Sequence, residues 1–174
     1  MPHIVLVGMM GAGKTTVGQA LAARRGWEFV DSDAQVEARA GRTVGEIWRA
    51  DGEPGFRALE SQALAEALGA AKPTVIAAAG GTVLDADNRA VLRDHWPVVW
   101  LRADPATLAD RLGEGSGRPL LSTDPPGALK ALAVEREPRY TEVADIVIEV
   151  DQLQPPEVVE AVEAALREQG DARS

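Results

Sequence analysis

The run Gly8-Met9-Met10-Gly11-Ala12-Gly13-Lys14-Thr15 sets glycines, a lysine and a threonine at the spacing of a phosphate-binding loop. The apolar run Ile4-Val5-Leu6-Val7 precedes it, and a helical pattern through Val17, Leu21 and Ala22 follows. A turn between strand and helix points bare backbone N–H groups at an anion, and the positive end of the helix dipole adds to the pull. In that geometry Lys14 reaches the β- and γ-phosphates of a nucleotide, and the Thr15 hydroxyl ligates Mg²⁺. Gly11, Ala12, Gly13, Lys14, Thr15 and Thr16 are therefore the expected phosphate contacts. A glycine turn that bound nothing would leave Lys14 and Thr15 without a reason.

A second chemical group stands at Asp31-Ser32-Asp33, just after the apolar pair Phe29-Val30. Phosphoryl transfer needs a metal to neutralise the β- and γ-oxygens, and a carboxylate to orient or deprotonate the attacking hydroxyl. Asp31 suits the metal's water shell and Asp33 suits the base. Either acid could also cap the helix beginning near Ala34, a common use of Asp.

These residues must be held by elements, and the apolar pattern supplies them. Five short runs, Ile4–Val7, Phe29–Val30, Val75–Ala78, Val98–Leu101 and Ile146–Ile148, alternate with longer segments of helical period. The runs are continuously apolar, which predicts a five-stranded parallel sheet with helices on both faces, a three-layer α/β/α fold. Ligands then bind at the carboxyl ends of the strands, where the glycine loop and both acids fall. Asp104-Pro105 reads as an N-cap and first turn, and Pro97 closes the helix carrying Val91 and Leu92. The glycines between Gly113 and Gly117, and the two prolines between Ser122 and Gly127, predict a mobile surface loop. The polar segment from Glu168 to Ser174 predicts a frayed tail.

Bulk properties narrow the function. The 174 residues suit one domain that buries about 70% of its unfolded surface. A chain that is 45% hydrophobic and 26% charged, with no cysteine, has the composition of a soluble protein without disulfides or thiolate metal sites, so a cytoplasmic setting is expected. No apolar run is long enough to span a bilayer, and no targeting segment or membrane partner is expected. A net charge of −9 repels phosphate backbones, which argues against a nucleic-acid partner. Anionic small ligands would then need cationic residues placed locally.

Several further motifs follow in order: Asp51-Gly52-Glu53-x-x-Phe56-Arg57-x-x-Glu60, the turn Gly80-Gly81, Arg118-Pro119-Leu120-Leu121, and Arg136-x-Pro138-x-Tyr140. With the glycine loop and Asp31-Ser32-Asp33, they make the chain resemble the shikimate kinases, small P-loop kinases of the nucleoside monophosphate kinase fold, from about His3 to Leu166. The resemblance implies ATP and shikimate as substrates, Mg²⁺, and a monomer. It implies one domain over 1–170, with a substrate-binding segment at about 31–62, a lid at about 113–126, and a disordered tail at 171–174. By the same resemblance Asp33 bonds the shikimate hydroxyls and acts as base at the 3-hydroxyl, and Arg57 with Arg136 holds the carboxylate. The chemistry agrees, because a planar guanidinium matches a carboxylate bidentately. Gly80 and Gly81 would bring bare backbone to the substrate, and Trp48 and Phe56 would wall its pocket. Arg118 would close over the phosphates as the catalytic arginine of the lid, Lys14 would stabilise charge beside it, and Arg111 would stack on adenine.

Each cation also has a simpler reading. Arg57 with Glu60 could be a surface ion pair on a helix, and Arg136 a solvated residue before a helix-ending Pro138. The family usually has three glycines at the turn, often preceded by Ser or Thr, whereas this chain has Ala78-Ala79-Gly80-Gly81. A left-handed backbone at Ala79 would cost about 1 kcal/mol or more, so an ordinary backbone is expected there. Any hydroxyl near the metal at this point is lost. Alternatives are a kinase for another small acid such as gluconate, and a non-catalytic or switch-type nucleotide-binding protein; the latter should carry a guanine-reading Asn/Thr-Lys-x-Asp motif, and this sequence has none.

Overall fold

The computed structural model describes residues 3–113 and 124–172. Arg118 and most of the expected lid lie outside them. Five strands form a single parallel sheet: β1 (His3–Val7), β2 (Glu28–Asp31), β3 (Thr74–Ala77), β4 (Val98–Arg102) and β5 (Ile146–Glu149), in the order β2-β3-β1-β4-β5. The parallel register pairs Leu6 with Ala77 and with Val99. β1, at the centre, is buried along its whole length. The continuous apolar pattern fails at the edge, where Ile146 and Ile148 are buried but Val147 is half exposed, so only one face of β5 is covered.

Helices α1 (Lys14–Arg25), α2 (Ser32–Ala40), α3 (Val44–Leu68), α4 (Ala86–Arg93), α5 (Pro105–Leu112) and α6 (Pro125–Val143) make the crossovers, and α7 (Pro155–Ala172) follows the last strand. α1 packs on α7, and α6 packs on α4 and α5. The main core runs through β1, β3 and β4 under these helices. A second, smaller cluster of Val36, Ile47, Phe56 and Ala63 joins α2 to α3, which is kinked at Gly52. This α2–α3 unit carries Arg57 and has its own small core beside the sheet. A capping box at Thr43 and Glu46 starts α3. Asp104 caps α5 through Ala106 N–H, with Pro105 in the first turn as expected.

Three boundaries differ from expectation. α6 begins at Pro125, inside the segment read as loop, because Asp124 caps it by accepting from Gly127 N–H. Pro138 does not end α6, which continues to Val143; the one helical bond a proline removes is outweighed here by the burial of Arg136 and Tyr140 around it. The segment expected to fray from Glu168 is helical through Ala172, continuing the face on which Val159, Val162 and Leu166 are buried. No described helix is long and apolar enough to cross a membrane.

Candidate active site

β1 ends in the glycine loop, and α1 starts at Lys14. Gly11 and Gly13 have φ of 83° and 96°, a left-handed backbone that turns the chain sharply enough to ring an anion with N–H groups. Lys14 Nζ lies across the loop, donating to Gly8 O at 2.8 Å and Met9 O at 3.0 Å. A cavity of about 820 Å³ opens over the loop and is also lined by Asp31, Asp33, Arg111 and Gln154. It therefore joins the phosphate cradle to both acids.

Because β2 lies two strands from β1 in the sheet, its carboxyl end delivers Asp31 and Asp33 to the same edge as the loop. Asp31 has two tasks. Its Oδ1 caps α2, accepting from Asp33 N–H at 3.0 Å and Ala34 N–H at 3.3 Å, while its Oδ2 accepts from the Thr15 hydroxyl at 2.5 Å. The capping and functional readings of this acid are thus compatible. Asp33, in the first turn of α2, lines the cavity.

Arg57 on α3 and Arg136 on α6 both end at the turn after β3. A Cβ built on Gly81 would lie 1.8 Å from Arg57 Nη1, and one built on Gly80 would lie 3.2 Å from Arg136 Nη1. Gly81 itself has an ordinary φ of −88°, so these glycines are needed for space rather than for a special backbone. Ala79 likewise has no positive φ. Arg136 is only 1% exposed, and among the described residues its Nε has no hydrogen-bond partner. A buried guanidinium short of acceptors favours an anion. Arg57 pairs with the buried Glu60 and lies 5.5 Å from the Trp48 ring and 5.4 Å from that of Phe56. Neither arginine is a solvated surface residue. Burial pushes the Glu60 carboxyl up to about 7, opposed first by Arg57 and reinforced by Asp33.

Arg111 sits at the far end of the cavity on α5. Its Nη2 donates to Val150 O at 2.7 Å and its Nη1 to Gly11 O at 3.4 Å, so it ties the glycine loop to the β5–α7 connection. Asp151, beside it, accepts from Asp104 N–H. The cation thus has a bracing role that spacing alone did not reveal.

A family model for shikimate kinase matches residues 10–167. The chain belongs to the shikimate kinase family. It is 49% identical over 173 residues to a shikimate kinase of Symbiobacterium thermophilum, covering 97% of this chain and 98% of that one. It is 45% identical to one of Thermobifida fusca, covering 98% of both. Among solved structures, the shikimate kinase of Acinetobacter baumannii in complex with shikimate aligns over 97% of this chain and 94% of that one, with a TM-score of 0.92 at 38% identity. A gluconokinase of Sinorhizobium meliloti, at 22% identity and a TM-score of 0.56, shares the fold alone.

In this shikimate kinase family member, Tyr140 and Ser32, given no role from the sequence, hold the site together with Glu60, which was expected as a surface partner of Arg57 and is instead buried. Glu60 is the buried partner of Arg57, Tyr140 donates to Gly80 O at 2.7 Å, and Ser32 Oγ accepts from Ala79 N–H at 2.8 Å. Glu60 and Tyr140 carried a signal, since each stands three or four residues after an arginine on one helix and so shares its face. Ser32 carried none, because its partner lies 47 residues away.

Proposed function

We propose that this chain phosphorylates shikimate at its 3-hydroxyl with ATP, giving shikimate 3-phosphate and ADP, a step of aromatic amino-acid biosynthesis. The single observation that carries the site assignment is the convergence of Arg57 and Arg136 on Gly81 and Gly80, at the sheet edge that also holds the phosphate loop and Asp33. Two guanidiniums select a monocarboxylate, and the acid beside them receives a hydroxyl. Asp33 orients the 3-hydroxyl and takes its proton as the oxygen bonds to the γ-phosphorus; the bond to the β–γ bridging oxygen breaks and ADP leaves. Backbone N–H groups of residues 11–13 and the Lys14 ammonium hold the phosphates in line. Arg111 flanks the adenine, and Arg118, outside the described residues, supplies a further positive charge over the phosphates.

Mg²⁺ fits the donors present. The Thr15 hydroxyl and the Asp31 carboxylate meet at the cradle, both hard oxygens, and no group of three or more His, Cys, Asp or Glu among the described residues could hold a metal by itself. A site with so few protein ligands suits an ion that keeps water and phosphate around it. Thr15 would hold it directly and Asp31 through water, and it would neutralise charge on the β- and γ-oxygens. A monomer at work in the cytoplasm completes the reading, with no nucleic acid or membrane as partner.

The test is a coupled ADP-release assay across shikimate, gluconate and other hydroxy acids. Release stimulated by shikimate alone is the expected result. Equal stimulation by gluconate, or none by any acid, would reject the reading.

A further inference from the structure

We infer that Ser32 and Tyr140 are positioning residues that lock the backbone at residues 79–80 between the base and the carboxylate clamp. The inference rests on the shikimate kinase reading and extends it to two side chains that line no part of the nucleotide cavity. Sheet pairing of β3 ends at Ala77, and Ala78 N–H still reaches Leu6 O. Beyond that point two side chains from different elements engage the backbone, which is buried at Ala79 and partly buried at Gly80. Ala79 N–H donates to Ser32 Oγ at 2.8 Å, and the Tyr140 hydroxyl donates to Gly80 O at 2.7 Å. A buried backbone group needs such a partner wherever the ladder stops.

The two anchors are attached to the residues whose separation matters. Ser32 lies between Asp31 and Asp33 and is 1% exposed, so its bond to Ala79 ties the base to the glycine turn. Tyr140 stands one helical turn beyond Arg136 on α6, is fully buried, and packs on the Trp100 ring at 5.4 Å. The Arg136 guanidinium in turn lies against Gly80. Ala79 and Gly80 are therefore the hub through which Asp33 and Arg136 keep their spacing, and the substrate has to span that spacing from 3-hydroxyl to carboxylate. A shift of about 1 Å there is enough to slow phosphoryl transfer. Ala79 also fits this role, since the latch uses its N–H and leaves its small side chain an ordinary backbone.

The experiment compares wild type with Ser32→Ala and with Tyr140→Phe, the second removing one hydroxyl while keeping the ring. Each is expected to lower kcat/KM for shikimate about tenfold, the effect of losing one buried hydrogen bond, with the KM for ATP held within about twofold. Partial recovery in Ser32→Thr, which keeps the acceptor oxygen, supports the latch. Values of kcat/KM for shikimate within about twofold of wild type in both variants, or equal rises in KM for the two substrates, would overturn it. Amide hydrogen exchange separates this from the functional reading: Ser32→Ala should speed exchange at Ala79 whether or not shikimate is turned over. Unchanged exchange there would sink the latch, whereas a wild-type chain that ignores shikimate would sink only the functional reading on which its catalytic consequence rests.

Discussion

Glu60 accepts a hydrogen bond from Arg57 Nη1 while its own side chain is only 2% exposed. In the proposed reading, the pair sets the charge presented to an incoming carboxylate. Burial raises the Glu60 pKa to about 7, so it is protonated in the folded chain over a range in which an exposed glutamate is ionised. Protonation removes the buried counter-charge of Arg57, leaving it the more exposed Glu53 at 3.3 Å, and an anion bound beside Glu60 raises its pKa further. Shikimate affinity should therefore strengthen as pH falls from 8 to 6, by roughly threefold to tenfold. Calorimetric titration of shikimate at a series of pH values checks this, and Glu60→Gln should flatten the profile.

Asp33 lines the cavity that begins at the phosphate loop, and its backbone is fixed by the Asp31 cap. Asp33→Asn keeps the size and removes the proposed base. It should lower kcat by about 10² to 10⁴ with little change in ATP affinity. Turnover near the wild-type rate would dismiss Asp33 as the base.

Gly81→Ala probes the clamp from its floor. The new methyl would occupy the place of the Arg57 guanidinium, the mobile end of a long side chain, so the fold should survive and the guanidinium should move. Losing one charge-assisted contact to the carboxylate costs about 1.5 to 3 kcal/mol, which raises the KM for shikimate about tenfold or more. Steady-state kinetics with each substrate varied in turn would show the effect confined to shikimate.

His3 and His95 stack with ring centroids 5.8 Å apart at the amino end of the sheet. Burial chiefly pushes both pKa values below 6.5, with His95 adding to the effect at His3; at His95 the nearby Asp145 works the other way. In the unfolded chain these rings take up protons near pH 6.5, whereas in the folded chain they stay neutral to lower pH. Their contribution is thus fully present above 6.5 and is lost as pH falls. Glu60 has the opposite sign: its raised pKa contributes stability at low pH that is lost as pH rises through about 7. In a Glu60→Gln background the melting temperature should fall between pH 7 and pH 5, and replacing both histidines with Gln should remove that slope.

Much of the site could be read along the chain because its parts are local. The phosphate loop needs neighbouring glycines at fixed spacing, and Asp31 and Asp33 follow one strand by a few residues. The edge strand β5 misled the continuous-run rule because one face is left uncovered, and Pro138 misled the breaker rule because burial of its helix neighbours outweighs one lost bond.

The amino-acid sequence alone determined the parallel α/β fold, the nucleotide cradle and, through its ordered motifs, the kinase family. These depend on periodicity and short-range spacing, which a linear chain displays. Only the tertiary structure decided that Arg57 and Arg136 meet at one glycine turn, that Glu60 is buried beside them, and that Ser32 reaches Ala79 across 47 residues. Those contacts come from packing α3 and α6 against the carboxyl edge of the sheet, and side-chain distances between separate elements leave no repeat in the sequence.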